Sequence, residues 1–114
     1  MSTTKDEFSA QVSKIRSRFV QGLDARIDAI RDVMYVPTEA LSAESPEHAS
    51  HRMLHDLAGS AAMLQLADIE TAARAALEIA EHADNRGTPF DQSEREAIET
   101  VLSQIAARAH GYTT

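Results

Sequence analysis

Three histidines lie close together near the middle of the chain, where their ring nitrogens could accept a phosphoryl group or bind a metal ion. They are His48, His51 and His55. A neutral imidazole is nucleophilic near neutral pH, because its unperturbed pKa is about 6.5. The residue types alone leave three interpretations open: a phosphate carrier, a metal site, or solvent-facing histidines on a structural bundle.

The apolar residues around His55 predict an amphipathic helix that places this histidine on its exposed side. They recur at steps of three or four residues, as Leu54, Leu57, Ala61 and Leu64. Such steps are typical of one helical face. At about 100° per residue, His55 lies about 140° from the centre of that face. The opposite stripe is expected to contain His48, Arg52, His55, Gly59 and Ala62.

Small residues occupy the turn that follows His55. They are Ala58, Gly59 and Ala62. Glycine costs about 1 kcal/mol relative to alanine inside a helix, so a glycine here suggests that something must approach the backbone closely. We therefore predict a site centred on His55, in which these three small residues leave room for a bulky adduct or a docking partner.

The segment His55-Asp56-Leu57-Ala58-Gly59-Ser60-Ala61 resembles the H-x-L-K/A-G-S/A-A signature of histidine-containing phosphotransfer (HPt) domains. The order of the predicted helices extends this resemblance over nearly the whole chain. The resemblance implies that His55 is the phosphoacceptor and that the partners are response-regulator receiver domains or a hybrid histidine kinase. It also implies a phosphocarrier rather than an enzyme with autonomous turnover. The chain itself would need no cofactor, since the receiver domain brings the Mg²⁺.

Two positions depart from the HPt pattern. The family often has a lysine three residues after the histidine, where this chain has Ala58, and a glycine ten residues after it, where this chain has Gln65. A lysine could place a positive charge beside a phosphoryl group. Arg52 is the nearest substitute, because a guanidinium offers a planar fork to phosphate oxygens. Alternatively, Arg52 only solvates the helix, paired with Asp56, or the partner supplies the charge.

A metal site and a non-transferring bundle are the competing interpretations. His51 and His55 are four residues apart and could share one ion. Arg52 stands between them where the zincin motif has glutamate, and the sequence indicates no third ligand. We therefore expect no metal site. The other alternative is an HPt-like adaptor or scaffold that docks receiver domains without phosphotransfer.

Composition limits the class of protein. The chain has 114 residues, which fits a single domain spanning positions 1–114, and it has no cysteine. Its net charge of −7 argues against nucleic acid and anionic membranes as partners. No apolar run approaches the roughly 18 residues of a membrane span. We expect a cytoplasmic monomer.

Capping signals and apolar periodicity predict an all-α fold, an antiparallel up-and-down four-helix bundle with a long N-terminal helix. The first helix should bend or break at Gly22, and Ser45 with Pro46 should begin the next one. Asp68 is expected to cap the third helix. Asp91, with Glu94 three residues later, should cap the last one. No strand pattern occurs in the sequence.

Overall fold

The computed structural model describes residues 3–35 and 44–112, and all regular structure within these ranges is α-helical. The helices are α1 (Thr3–Gln21), α2 (Leu23–Tyr35), α3 (Pro46–Met63), α4 (Ala67–Arg86) and α5 (Gln92–Tyr112). The predicted all-α class is thus confirmed for the described residues. The helices pack around one apolar core and are compatible with a helical bundle.

The first apolar stretch is divided at Gly22, which alone separates α1 from α2. The Gly22 N–H donates to the carbonyl oxygens of Arg18 and Phe19 at 3.1 and 3.2 Å, and the Arg26 N–H donates to the Gly22 carbonyl at 3.2 Å. Backbone hydrogen bonding therefore continues across the break. The predicted position of the break is confirmed.

Helix α3 begins where the sequence predicts. Ser45 has extended backbone angles (φ −72°, ψ 160°), and its side-chain oxygen accepts a hydrogen bond from the His48 N–H at 3.1 Å. Pro46 occupies the first turn, where its missing N–H leaves no intrahelical bond unmade. These two residues fix the start of the helix that carries all three clustered histidines.

The most extensive contact between two helices is that of α3 with α4. Helix α3 contributes the fully buried Leu54, Leu57 and Ala61. The buried residues of α4 are mainly small: Ile69, Ala73, Ala76, Leu77, Ala80 and Ala83. Short side chains allow two helix backbones to approach closely, so this interface fixes how α3 is rotated about its own axis.

The turn from α3 to α4 differs from the prediction. Gln65 has a left-handed backbone with φ 59°, and the Leu66 N–H donates to the Ala61 carbonyl at 2.9 Å. The Gln65 N–H bonds to the Ala62 carbonyl at 3.1 Å, which completes a Schellman motif. Because Leu66 is buried and its carbonyl already accepts the Glu70 N–H at 2.8 Å, α4 begins at Ala67.

The prediction that Asp68 caps this helix is therefore wrong by two residues, because Leu66 is the N-cap, an error common at helix ends. Asp68 lies in the first turn of α4. Its carboxylate accepts hydrogen bonds from the Ile69 N–H at 2.9 Å and from the Tyr112 hydroxyl at 2.8 Å. The hydrogen bond from Tyr112 is the main reason that the pKa of Asp68 lies below its usual value. Asp68 thus joins the start of α4 to the end of α5.

The connection from α4 to α5 agrees with the sequence signals. Gly87 ends α4 in a left-handed conformation with φ 75°. Asp91 and Glu94 form the predicted capping box: the Glu94 N–H donates to Asp91 at 2.8 Å, and the Asp91 N–H donates to Glu94 at 3.0 Å. The Phe90 N–H donates to the buried Glu47 carboxylate at 3.0 Å, which ties this connection to the first turn of α3.

Gln65 provides a test of the α3–α4 turn. A left-handed conformation costs a residue with a Cβ roughly 1–2 kcal/mol, part of which is recovered from the greater freedom of glycine when unfolded. We expect Gln65→Gly to raise the free energy of unfolding by about 0.5–1 kcal/mol. Urea denaturation measures this, with Gln65→Ala as the matched control that keeps the Cβ. A glycine variant no more stable than the alanine variant would contradict the assigned turn.

Candidate functional site

His55 is an exposed side chain on a helix that is otherwise packed into the core. It lies on α3 between Leu54 and Leu57, both of which are fully buried. Among the residues that the structure describes, the His55 ring has no hydrogen-bond or ion-pair partner. The predicted exposure of this imidazole is confirmed. An exposed ring without a partner is accessible to a reactant on another protein.

Open space lies on the turn after His55, at Gly59. A Cβ built on Gly59 would have no atom within 4 Å beyond its immediate neighbours and the local helix backbone. The fold itself therefore does not require glycine at this exposed position. Ala62, one turn further along, is half-buried.

Ala58 lies on the core side of α3. It is 1% exposed and belongs to the buried cluster that joins the helices. Ala58 therefore supports the packing of α3 and contributes nothing to the free space beside His55. A lysine at this position would have to pass its stem along the α3 interface before reaching solvent.

Arg52 is exposed but paired. Its Nε and Nη2 atoms donate to the two carboxylate oxygens of Glu44 at 3.1 and 2.8 Å. Helical side chains lean toward the N-terminus, and this pair accordingly lies toward the start of α3, away from His55. The Arg52 hydrogen bonds lower the pKa of Glu44. Glu44 thus takes the place of Asp56, the partner considered from the sequence.

An apolar surface lies between α1 and the end of α3, starting at Ser60, the residue after Gly59. A hollow of about 400 Å³ between α1 and α3 is lined by Ile15, Arg18, Phe19, Ser60, Met63 and Leu64. Met63 is 85% exposed and Ile15 is 50% exposed, and apolar side chains grouped on a surface are typical of interaction sites. The Arg16 Nε donates to the Leu64 carbonyl at 3.0 Å and holds α1 against the end of α3. We call this area the apolar rim.

The other two histidines of α3 face a different neighbour. The Nδ1 atoms of His48 and His51 lie 3.0 and 2.8 Å from the same carboxylate oxygen of Asp84 on α4. The hydrogen bond from His51 is the main reason that the pKa of Asp84 lies below its usual value. In the described ranges, these are the residues that come together in a geometry able to hold a metal ion, and His55 is not among them.

Asp84 is the site residue that the sequence analysis missed. It lies 36 positions from His48 and 33 from His51, beyond the reach of any local pattern. Its only signal was the predicted antiparallel bundle, in which consecutive helices lie side by side. That expectation alone did not predict which residue of α4 would meet which histidine.

The comparisons with protein-family models, with curated proteins and with solved structures found no match. No helix in residues 3–35 or 44–112 combines the length and apolar character needed to cross a membrane. The geometry of α3 and the sequence from His55 to Ala61 therefore carry the functional argument.

Proposed function

We propose that this chain is a histidine phosphotransfer protein of a two-component phosphorelay. It carries a phosphoryl group on His55 to or from the aspartate of receiver domains, which belong to response regulators or to a hybrid histidine kinase. The single observation that carries the proposal is the exposed, unpaired His55 ring among the described residues, beside the open space at Gly59. The resemblance of the segment from His55 to Ala61 to the HPt signature supports it.

The chemistry needs little from this chain. The unprotonated ring nitrogen of His55 attacks the phosphorus of an aspartyl phosphate, so a nitrogen–phosphorus bond forms and the acyl-phosphate bond breaks. The aspartate carboxylate leaves with the electron pair, and the reverse reaction passes the phosphoryl group to another aspartate. Neutral imidazole is abundant near neutral pH. The receiver domain supplies Mg²⁺ and the acidic pocket, so the carrier supplies only an accessible nucleophile.

The proposed architecture is a single domain, an antiparallel up-and-down four-helix bundle in which α1 and α2 together form a long N-terminal helix. Contacts between opposite ends of neighbouring helices support it. His51 near the start of α3 bonds to Asp84 near the end of α4, and Tyr112 at the end of α5 bonds to Asp68 at the start of α4. In such a bundle His55 stands midway along a convex surface, where a partner must come to it.

The apolar rim is the surface on which we expect the receiver domain to dock. Met63 and Ile15 expose much of their surface there, and Gly59 provides clearance between the rim and His55. Burial of such side chains contributes about 25 cal/mol for each Å² removed from water. Docking on the rim would position the receiver aspartate close to the His55 ring.

An HPt-like adaptor that docks receiver domains without phosphotransfer is the second candidate. Ala58 provides no charge for a phosphoryl group, and Arg52 is held by Glu44. Both observations concern the stability of a phosphohistidine rather than docking. Under the adaptor hypothesis the receiver would bind, but His55 would remain unmodified.

His55→Gln tests the phosphoacceptor. We expect label from a phosphorylated receiver domain on the wild-type chain and none on the variant. The matched control is His82→Gln, which changes an exposed histidine on a different helix, α4. This variant should take up label to the wild-type level. Unfolding free energies should stay within about 0.5 kcal/mol, because both sites are on the surface. Label on His55→Gln would overturn the assignment, and a wild-type chain that binds receivers without becoming labelled would favour the adaptor.

Substitutions at Gly59 distinguish its effect on the space beside His55 from its effect on helix stability. Gly59→Ala should stabilise the helix by up to about 1 kcal/mol, because the added methyl group meets no atom. Gly59→Glu should fold but lower the transfer rate by more than about tenfold, which corresponds to about 1.4 kcal/mol in the free energy of activation. Ala97→Glu places the same charge at an exposed position of α5 and should have little effect. Wild-type transfer by Gly59→Glu would contradict the clearance argument.

Variants of Arg52 and Glu44 test whether Arg52 neutralises the negative charge of the phosphoryl group. Because Arg52 is occupied by Glu44, we expect Arg52→Ala and Glu44→Gln each to change the transfer rate by less than about tenfold, in line with the small energies of exposed charges. Arg74→Ala, which breaks the exposed pair with Glu70 on α4, is the matched control. Stopped-flow or quenched transfer assays measure these rates. A larger loss confined to Arg52→Ala would instead make Arg52 the cation that neutralises the phosphoryl group.

A further inference from the structure

A cluster of three potential metal ligands lies where α3 contacts α4. Two of the ligands precede His55 on α3, and the third is on α4. The members of the cluster are His48, His51 and Asp84, and their nearest ligand atoms all lie within 4.8 Å of one another. We call it the histidine–aspartate cluster. Two imidazoles and one carboxylate form a common ligand set of zinc sites that keep a fourth position open for water.

The distances within the cluster suit a small ion. Ligands about 2.0–2.1 Å from a tetrahedral zinc ion lie about 3.3 Å from each other. The two histidine Nδ1 atoms lie 3.0 and 2.8 Å from the Asp84 oxygen. These two distances are a few tenths of an ångström short of that spacing, and no two ligand atoms of the cluster are more than 4.8 Å apart, so small side-chain movements would admit an ion. Both nitrogens already point at one oxygen, so no large rearrangement of the helices is required.

A second carboxylate, that of Glu44, lies near the outer histidine, His48. The Glu44 carboxylate lies 3.8 Å from the Nε2 atom of His48, the ring nitrogen that does not face Asp84. Glu44 is itself held by the two hydrogen bonds from Arg52. Metal-ligating histidines usually donate their second ring N–H to a carboxylate, and Glu44 lies where a small side-chain movement would make that hydrogen bond to His48. Glu44 is not one of the three proposed ligands, so its position is an observation additional to them.

The cluster is both supported and accessible. The side chains of His51 and Asp84 are 28% and 20% exposed, so the packed helices restrict their positions. The His48 side chain is 56% exposed, which leaves solvent access on that side. Helices hold metal ligands more rigidly than loops do.

We propose that His48, His51 and Asp84 bind a divalent transition-metal ion of borderline softness, with Zn²⁺ as the expected species. The sequence alone indicates no third ligand and hence no metal site, whereas the fold brings Asp84 to the two histidines as that ligand. Imidazole suits Zn²⁺, Cu²⁺ and Ni²⁺, whereas Mg²⁺ prefers oxygen ligands. The site is therefore separate from the Mg²⁺ chemistry of receiver domains. It does not depend on the proposed phosphotransfer by His55.

The test is a calorimetric titration of Zn²⁺ alone into the full chain, after chelator treatment and removal of the chelator. We expect saturable binding of one ion per chain to the wild type. His48→Gln, His51→Gln and Asp84→Asn should each weaken the affinity by at least about tenfold, and Glu44→Gln by a smaller factor. His82→Gln should bind as the wild type does. Mg²⁺ at the same concentrations should produce no binding heat.

A spectroscopic readout keeps the test valid if a variant folds poorly. In NMR spectra of the wild type, Zn²⁺ should shift the ring signals of His48 and His51 and leave those of His82 unchanged. Zinc should also raise the midpoint of thermal unfolding of the wild type, because it binds the folded state. Absence of stoichiometric binding, or wild-type affinity in Asp84→Asn, would overturn the proposal. So would loss of binding in His55→Gln, which would indicate the His51–His55 pair instead.

Discussion

The packing of α3 against α4 is the constraint on which the rest of the molecule depends. Leu54, Leu57 and Ala61 are fully buried, and the buried side of α4 consists largely of alanines. A helix advances about 100° per residue, so burying one face determines the direction of every other side chain. The same rotation that turns His55 toward solvent turns His51 toward Asp84. Neither placement requires a separate interaction to maintain it.

Local signals predicted much of the fold because their physics is local. A serine followed by proline begins α3, and the exchange of hydrogen bonds between Asp91 and Glu94 begins α5, as expected. The Asp68 prediction failed because a competing arrangement controls that turn. The Schellman hydrogen bonds and the burial of Leu66 start α4 earlier than the aspartate alone would suggest. The preference of aspartate for the N-cap position was therefore outweighed by the packing of Leu66 into the core.

In the candidate site, too, the features set by local sequence were predictable and those set by contacts between helices were not. Helical periodicity was sufficient to predict that His55 is exposed, and the glycine suggested the open space that Gly59 has. The burial of Ala58 was not predicted from periodicity, since it depends on how closely the neighbouring helices approach. Periodicity also could not find Asp84, because pairing between residues more than 30 positions apart is set by tertiary structure. The periodicity of one helix predicts which of its faces is exposed, but not which residues of another helix will contact it.

The Arg52–Glu44 pair bears on where the charge of a phosphoryl group would be neutralised. A guanidinium that already shares two hydrogen bonds with a carboxylate forms a pair with no net charge. His55 lies in the middle of α3, too far from either end for the helix dipole to contribute, because that effect falls off within one turn. The whole chain is also acidic, with a net charge of −7. A phosphoryl group on His55 would thus receive little electrostatic stabilisation from its own helix. Stabilisation available only when the receiver is docked would favour transfer over storage, because an interaction made in the transition state lowers the barrier while one made in the resting carrier does not.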